Sequence, residues 1–275
     1  MPPKFTTNPL SHAEQRLYFY MESEGKNVFT VNELRASDLG FGDGHLYVLL
    51  DRLQQKGWIV TVGKGVYLRL PASSAVDGKT YLEDPFEVAL KLFPKNSYLA
   101  FMSALKIHNL TEYEPFTIFL ATKNRSETLK LLEQYEIKAI KFGKRFTGYE
   151  SRGGYIVSTI AKTFFDCFYH PQYAGGYSEI LKSLHSSQYP GWEELRQYLE
   201  RFGSSSLCQK IGHMLSLIQK TGYAVPEDLM DYLKSRVGTK TRLDHRIGKG
   251  GRFIREWQVV DNIGEERLLE WWFHG

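Results

Sequence analysis

The chain has 275 residues, 42% hydrophobic and 24% charged with a net charge of +4, which excludes disorder as the main state and leaves room for two domains with separate cores. Its longest apolar runs fall far short of the roughly 20 residues a bilayer span needs. Its two cysteines, Cys167 and Cys208, supply neither a disulfide framework nor a four-cysteine zinc site, and the opening Met1-Pro2-Pro3-Lys4 lacks the apolar stretch of a secretory signal, so a cytoplasmic location is expected.

Residues 1–10 hold three prolines and no apolar period, and read as a disordered arm. Ser11 followed by Glu14 is a capping box, and Ala13, Leu17, Tyr18 and Met21 recur at helical spacing up to Gly25, which predicts a first helix. Thr30 and Glu33 repeat that signature and open a short second helix through Val31, Leu34 and Ala36. After the turn Leu39-Gly40-Phe41-Gly42 a third helix is predicted over about 43–56, with Leu46, Leu49, Leu50 and Leu53 on one stripe and Gly57 as its stop. Residues 58–62 and 66–70 alternate about Gly63-Lys64-Gly65 as two strands of a hairpin, with glycines expected at positive φ. Three helices and a hairpin in this order predict a winged helix-turn-helix over 11–70.

Residues 71–80, rich in Pro, Ser, Ala and Gly, read as a linker, and 81–275 as a C-terminal domain. Asp84-Pro85-x-Glu87 caps a helix ending near Pro94, and 102–109 reads as another. An α/β layer is expected over about 116–158: strands at 116–121, 137–142 and near 155–157, and a helix at 126–135 capped by Ser126. A helical part over about 159–235 holds helices at about 159–169, 176–186, 191–202, 206–221 and 226–235, and closing strands at 253–260 and 268–273 occupy about 252–273. The expected fold class is α+β: an N-terminal winged helix-turn-helix followed by a mixed α/β and mainly helical C-terminal domain.

Nucleotide and hydrolase motifs such as a P-loop, GxGxxG, GxSxG or HExxH are absent, as is a paired CxxC. Cys167-x-x-His170 offers too few ligands for zinc. Asp166, Glu179 and Lys182 can be drawn as a metal-nuclease set, but helix caps and surface charges explain them without chemistry. His108 and His213 sit in apolar helical stretches as core or boundary histidines. The expectation is therefore no catalytic set, no metal and no cofactor.

Nucleic-acid recognition has more to stand on. With the leucine stripe of the third helix turned inward, Gly44, His45, Tyr47, Val48, Arg52 and Gln55 face outward; Arg and Gln make bidentate contacts to guanine and adenine, and Val48 suits a thymine methyl. Lys64 at the wing tip and Arg69 are placed to reach phosphates. Against this stand Asp43 and Asp51 on the same helix, the use of such domains for protein docking, and a balance over residues 1–70 of eight Lys/Arg to seven Asp/Glu. Residues 71–235 are equally neutral, nineteen to eighteen, but 236–255 carry a net +6 and 256–275 a net −4. Lys141, Lys144 and Arg145, with Lys138 and Arg152 nearby, and Arg242, Arg246, Lys249 and Arg252 in the basic block, form an expected surface for a charged partner or an extended phosphate track.

Several stretches, in order, resemble the AbiEi-type antitoxins of type IV toxin-antitoxin systems associated with abortive infection. Lys64-Gly65-Val66-Tyr67 is similar to the family's wing-closing G-x-Y. Residues 98–105, YLAFMSAL, with His108-Asn109-Leu110-Thr111 are similar to its S-A-L-x-x-H-G-L-T, with Asn109 where glycine is usual. Residues 159–176, TIAKTFFDCFYHPQYAGG, resemble its E-R-T-x-x-D-C-x-x-x-P-x-x-x-G-G signature: Thr163, Asp166, Cys167, Pro171, Gly175 and Gly176 fit, and Ala161-Lys162 replaces the Glu-Arg pair. Trp257 and Asn262 resemble its closing strand. The resemblance implies an N-terminal winged helix that binds double-stranded DNA at promoter inverted repeats and represses its own operon, and a C-terminal half that counters a nucleotidyltransferase toxin without stable sequestration. It implies no enzyme activity, no cofactor and no membrane. From the residues alone, Phe164, Phe165 and Phe168 form a buried stripe and Asp166 ties down backbone. The competing reading is a DNA-processing enzyme, a restriction-type nuclease or glycosylase targeted by the winged helix; a third is a regulator whose C-terminal half senses a small ligand.

Overall fold

The computed structural model describes residues 9–71, 82, 84–132, 134–188, 190–248 and 250–273. The fold is α+β and divides into two compact units, residues 1–97 with 128–137, and 98–127 with 138–275. Residues 1–8 of the expected arm, the expected linker beyond Pro71, and Lys249 lie outside the described residues. Pro9 and Leu10 are anchored: the Pro9 carbonyl accepts from Lys56 Nζ at 3.0 Å, and Leu10 packs on the core.

The first unit begins with α1 (His12–Ser23), whose capping box is complete: Ser11 N–H donates to Glu14 Oε2 at 2.6 Å and Glu14 N–H donates to Ser11 Oγ at 3.4 Å. β1 (Val28–Thr30) leads into α2 (Val31–Arg35), opened by the second box, Thr30 and Glu33. α3 (Asp43–Gln55) turns Leu46, Leu49, Leu50 and Leu53 onto Leu17, Met21 and Leu34 in one buried cluster. β2 (Ile59–Gly63) and β3 (Val66–Arg69) form the hairpin, but the sheet has three strands in the order β1-β3-β2, with Val28 opposite Leu68. The Val28–Thr30 strand is too short to show a period in the sequence and is fixed by β3.

Only one of the two hairpin glycines serves the conformation predicted for both. Gly65 has φ 71°, the left-handed region that glycine enters without strain. Gly63 has no positive φ; a Cβ there would lie 2.1 Å from Leu92 Cδ2. Leu92 belongs to α4 (Pro85–Leu92), capped by Asp84 Oδ1, which accepts from the backbone of Phe86 and Glu87 at 3.0 Å. Lys91 of α4 donates to the Val28 carbonyl at 2.6 Å and pairs with Glu33 at 2.9 Å. The first unit therefore runs to residue 97, past the expected end of the winged helix at 70 and the expected start of the C-terminal domain at 81.

Larger elements follow: β4 (Ser97–Leu99), α5 (Phe101–Ile107), β5 (Thr117–Thr122), β6 (Glu127–Leu131), β7 (Tyr135–Lys141), β8 (Tyr149–Arg152) and β9 (Tyr155–Ser158), with the sheet order β6-β7-β5-β4-β9-β8. Asn109, at a position where glycine is usual, has φ 57°, and asparagine is among the few side chains that tolerate this region. The helix expected at 126–135 is the strand β6. Ser126 is no helix cap: its Oγ accepts from the backbone N–H of Lys141 at 2.9 Å, and the Glu127–Leu131 alternation serves a sheet edge.

The helical part consists of α6 (Ile160–Tyr169), α7 (Tyr177–Ser186), α8 (Trp192–Phe202), α9 (Ser205–Gln219) and α10 (Glu227–Ser235). Phe164, Phe165 and Phe168 are buried as a stripe. The chain closes with β10 (Thr241–Arg242), β11 (Arg252–Ile254) and β12 (Val259–Asp261), in the order β10-β12-β11. The strand expected at 268–273 is instead two short helices, α11 (Glu265–Leu268) and α12 (Glu270–Phe273), and the one at 253–260 breaks at the buried Trp257, whose Nε1–H donates to Ser216 Oγ at 2.9 Å.

Candidate nucleic-acid interface

On α3 the buried leucines leave a continuous outer face of Gly44, His45, Tyr47, Val48, Asp51, Arg52 and Gln55, all exposed. Tyr47 and Val48, large apolar groups on this face, are 47% and 45% exposed. The face is organised by a residue the sequence reading passed over. Arg35, at the end of α2, donates through Nη2 to the Tyr47 hydroxyl at 3.2 Å and pairs through Nε with Asp43 at 3.0 Å. One of the two opposing acids on α3 is thereby neutralised. The other, Asp51, accepts from Gln55 Nε2 at 2.8 Å, so Gln55 is engaged along its own helix. The ring of His45 meets Phe41 edge-on at 5.4 Å. No sequence motif marks Arg35; only the turn between α2 and α3 brings it to Tyr47.

The basic side chains of this unit divide by what they touch. Arg52 and Lys64 are exposed and make no hydrogen bond or ion pair among the described residues. Arg69 does not reach outward: its side chain is 13% exposed and donates to Asn27 Oδ1 at 2.7 Å and to the Tyr18 hydroxyl at 3.4 Å, with Glu22 at 3.5 Å. The expected phosphate contact is a clamp between β3 and α1. Lys56 is likewise internal, paired with Glu14 at 2.7 Å; burial pushes the Glu14 carboxyl up, but the Lys56 ammonium and the Ser11 hydrogen bonds together hold it below the usual carboxylate range.

In the second unit the expected charged surface is only partly free. Lys141 and Lys144 are exposed, but the Arg145 guanidinium stacks 3.8 Å over the Tyr169 ring. Arg246 is held by Asp244, Arg242 is half-buried in β10, and Arg252 is exposed at the start of β11. The drawn nuclease set also comes apart. Asp166 is fully buried against Lys162, with Nζ–Oδ distances of 2.5 and 2.6 Å, where backbone was the expected partner; Glu179 accepts from the Thr111 hydroxyl at 2.6 Å; Lys182 pairs with Glu112 at 3.0 Å. Lys162, a departure from the family signature, supplies the charge that Asp166 requires. No group of three or more His, Cys, Asp or Glu side chains among the described residues is placed to hold a metal.

Residues 16–69, which carry this face, match the family model of the transcriptional regulator, AbiEi antitoxin. The winged-helix segment is of the AbiEi antitoxin type. Nothing among the curated proteins matches the chain. Its fold is similar to the crystal structure of the RV2827C protein from Mycobacterium tuberculosis, with a TM-score of 0.70 at 16% identity over 96% of each chain. The AbiEi-type segment thus sits within a fold shared along almost the whole chain. No helix among the described residues is long and apolar enough to cross a membrane.

Proposed function

We propose that this chain is a transcriptional autorepressor and antitoxin of a type IV toxin-antitoxin system: α3 and the wing bind inverted repeats in its own promoter, and the second unit counters a nucleotidyltransferase toxin. The observation that carries the reading is the outer face of α3, with Arg52 and Lys64 free of internal partners, inside the AbiEi-type segment. Two free cations are few for duplex DNA, where affinity leans on phosphate neutralisation. Of the charged surface expected in the second unit, Lys141, Lys144 and Arg252 are exposed and suit an acidic partner.

Gel shifts on the upstream promoter test the DNA half. Arg52→Ala is expected to cost about 1–3 kcal/mol on the specific site, and Lys64→Ala to weaken all sequences alike while reducing the salt slope by about 1. Equal binding by wild type and the double variant refutes the assignment. Growth rescue from the co-expressed toxin tests the other half: the double variant is expected to rescue as the wild type does, and failure of the wild type to rescue removes the antitoxin reading.

A further inference from the structure

The guanidinium of Arg35 has a partner on each nitrogen. Nε pairs with Asp43 Oδ1 at 3.0 Å, Nη1 donates to Asn32 Oδ1 at 3.4 Å, and Nη2 donates to the Tyr47 hydroxyl at 3.2 Å. Its central carbon lies 5.5 Å from the centroid of the Tyr47 ring. Arg35 is therefore committed within its own unit, and its effect on a ligand passes through Tyr47. A phenol oxygen both accepts and donates. With Arg35 donating to that oxygen, its hydrogen is left for another acceptor, and among the described residues Tyr47 donates to none. A cationic donor on the oxygen polarises the hydroxyl and strengthens it as a donor in turn. An ionised oxygen gains most from such a donor.

The tether also decides where the hydroxyl stands. In helix-turn-helix docking the recognition helix enters the major groove while the helix before it crosses the sugar-phosphate backbone. The bond to Arg35 holds the Tyr47 hydroxyl at the end of α2, on the side of α3 where that backbone passes, whereas Arg52 on the same helix has no tether. Asp43 would repel a phosphate at this place, and its ion pair with Arg35 removes the obstacle. We infer that the Tyr47 hydroxyl donates to a DNA phosphate and that Arg35 is the positioning residue that aims it; the inference rests on the proposed binding of DNA by α3. Such a contact fixes the register of α3 in the groove and carries no sequence information of its own.

Gel shifts of the full chain on the upstream promoter and on an unrelated duplex of the same length test this. Tyr47→Phe removes one exposed hydroxyl and should weaken binding to both duplexes by about tenfold. Its salt slope should stay at the wild-type value, because a neutral hydroxyl displaces no counterion, whereas Lys64→Ala lowers the slope by about 1. Arg35→Ala/Asp43→Ala leaves the net charge unchanged and should lose as much as Tyr47→Phe, with little further loss when the two are combined. A promoter scanned with single methylphosphonates separates a direct contact from a general disturbance of α3. At one phosphate the substitution should weaken the wild type and Lys64→Ala by about tenfold and leave Tyr47→Phe nearly unaffected. Undiminished binding by Tyr47→Phe, a loss confined to the promoter, or the lack of such a phosphate overturns the contact. Wild-type binding by Arg35→Ala/Asp43→Ala, or a loss that adds fully to that of Tyr47→Phe, overturns the role of Arg35. A wild type that binds neither duplex overturns the DNA-binding reading itself, and this inference with it.

Discussion

Replacing Lys162 by Met takes from the Asp166 carboxylate in α6, at a position of zero solvent exposure, its hydrogen-bonded counter-charge and leaves only the longer-range pull of Arg145. The ammonium it removes lies 2.5 and 2.6 Å from the two Asp166 oxygens and 4.7 Å from the Phe142 ring centroid. Breaking a buried pair from one side costs about 3–5 kcal/mol, corresponding to a fall in Tm of roughly 6–20 °C for a unit of this size. Lys162→Met/Asp166→Leu removes both charges, and such replacements range from neutral to about 1–4 kcal/mol stabilising. Burial pushes the Asp166 carboxyl up to about 6 against the pull of Lys162, and without Lys162 it rises further. A carboxyl whose folded pKa exceeds its unfolded value takes up a proton on folding, so stability falls as pH rises through that window. The single variant's deficit should consequently be largest near pH 8 and smaller near pH 5. Calorimetry of the full chain, with near-ultraviolet dichroism of Trp192, Trp257, Trp271 and Trp272, reads the unfolding of the second unit. A single-variant deficit below about 1 kcal/mol, or a double variant as unstable as the two singles together, refutes a coupled buried charge pair.

Gly63→Ala should destabilise the first unit by about 1 kcal/mol, since its Cβ meets only the methyl end of Leu92, and Leu92→Ala should relieve the strain while opening a cavity; thermal melts of the single and double variants check this. Arg69→Ala should lower stability by about 1–2 kcal/mol through the lost bonds to Asn27 and Tyr18 and leave promoter affinity unchanged. A selective loss of affinity in the gel shift would return Arg69 to the interface. Burial raises the Asp261 carboxyl, but the His213 ring and the backbone N–H groups of Gly264 and Ile263 hold it below its ordinary value. Its contribution is present above the unfolded value and lost as pH falls through the folded one, so acid titration of stability should flatten in Asp261→Asn.

The winged-helix unit was legible because its signals are local. Each capping box joins a hydroxyl and a carboxylate three residues apart, and the leucine stripe of α3 recurs within one helix, so no distant partner is needed to read them. The segment from Ser126 was misread because Leu129, Leu131 and Leu132 satisfy a helical spacing while Glu127–Leu131 also alternates; pairing in the sheet decides between the two. The end of the chain was misread for a related reason. Residues 268–273 form a short apolar run that fits either period, and the burial of Leu268 and Leu269 in the common core selects helices.

The amino-acid sequence by itself determined which stretches fold as the AbiEi-type winged helix, which face of α3 stays outside, and that Lys162 and Asp166 stand one helical turn apart. Tertiary structure alone decided what the charges do. Arg69 turned inward, Arg35 moved to Tyr47, Asp166 took Lys162 into the core, and Lys210 came beside the Asp244–Arg246 pair more than thirty residues away. Sequence periodicity reports which side of an element is apolar, but the state of a charged side chain depends on the solvent and counter-charges around it, and these are assembled only when distant segments pack.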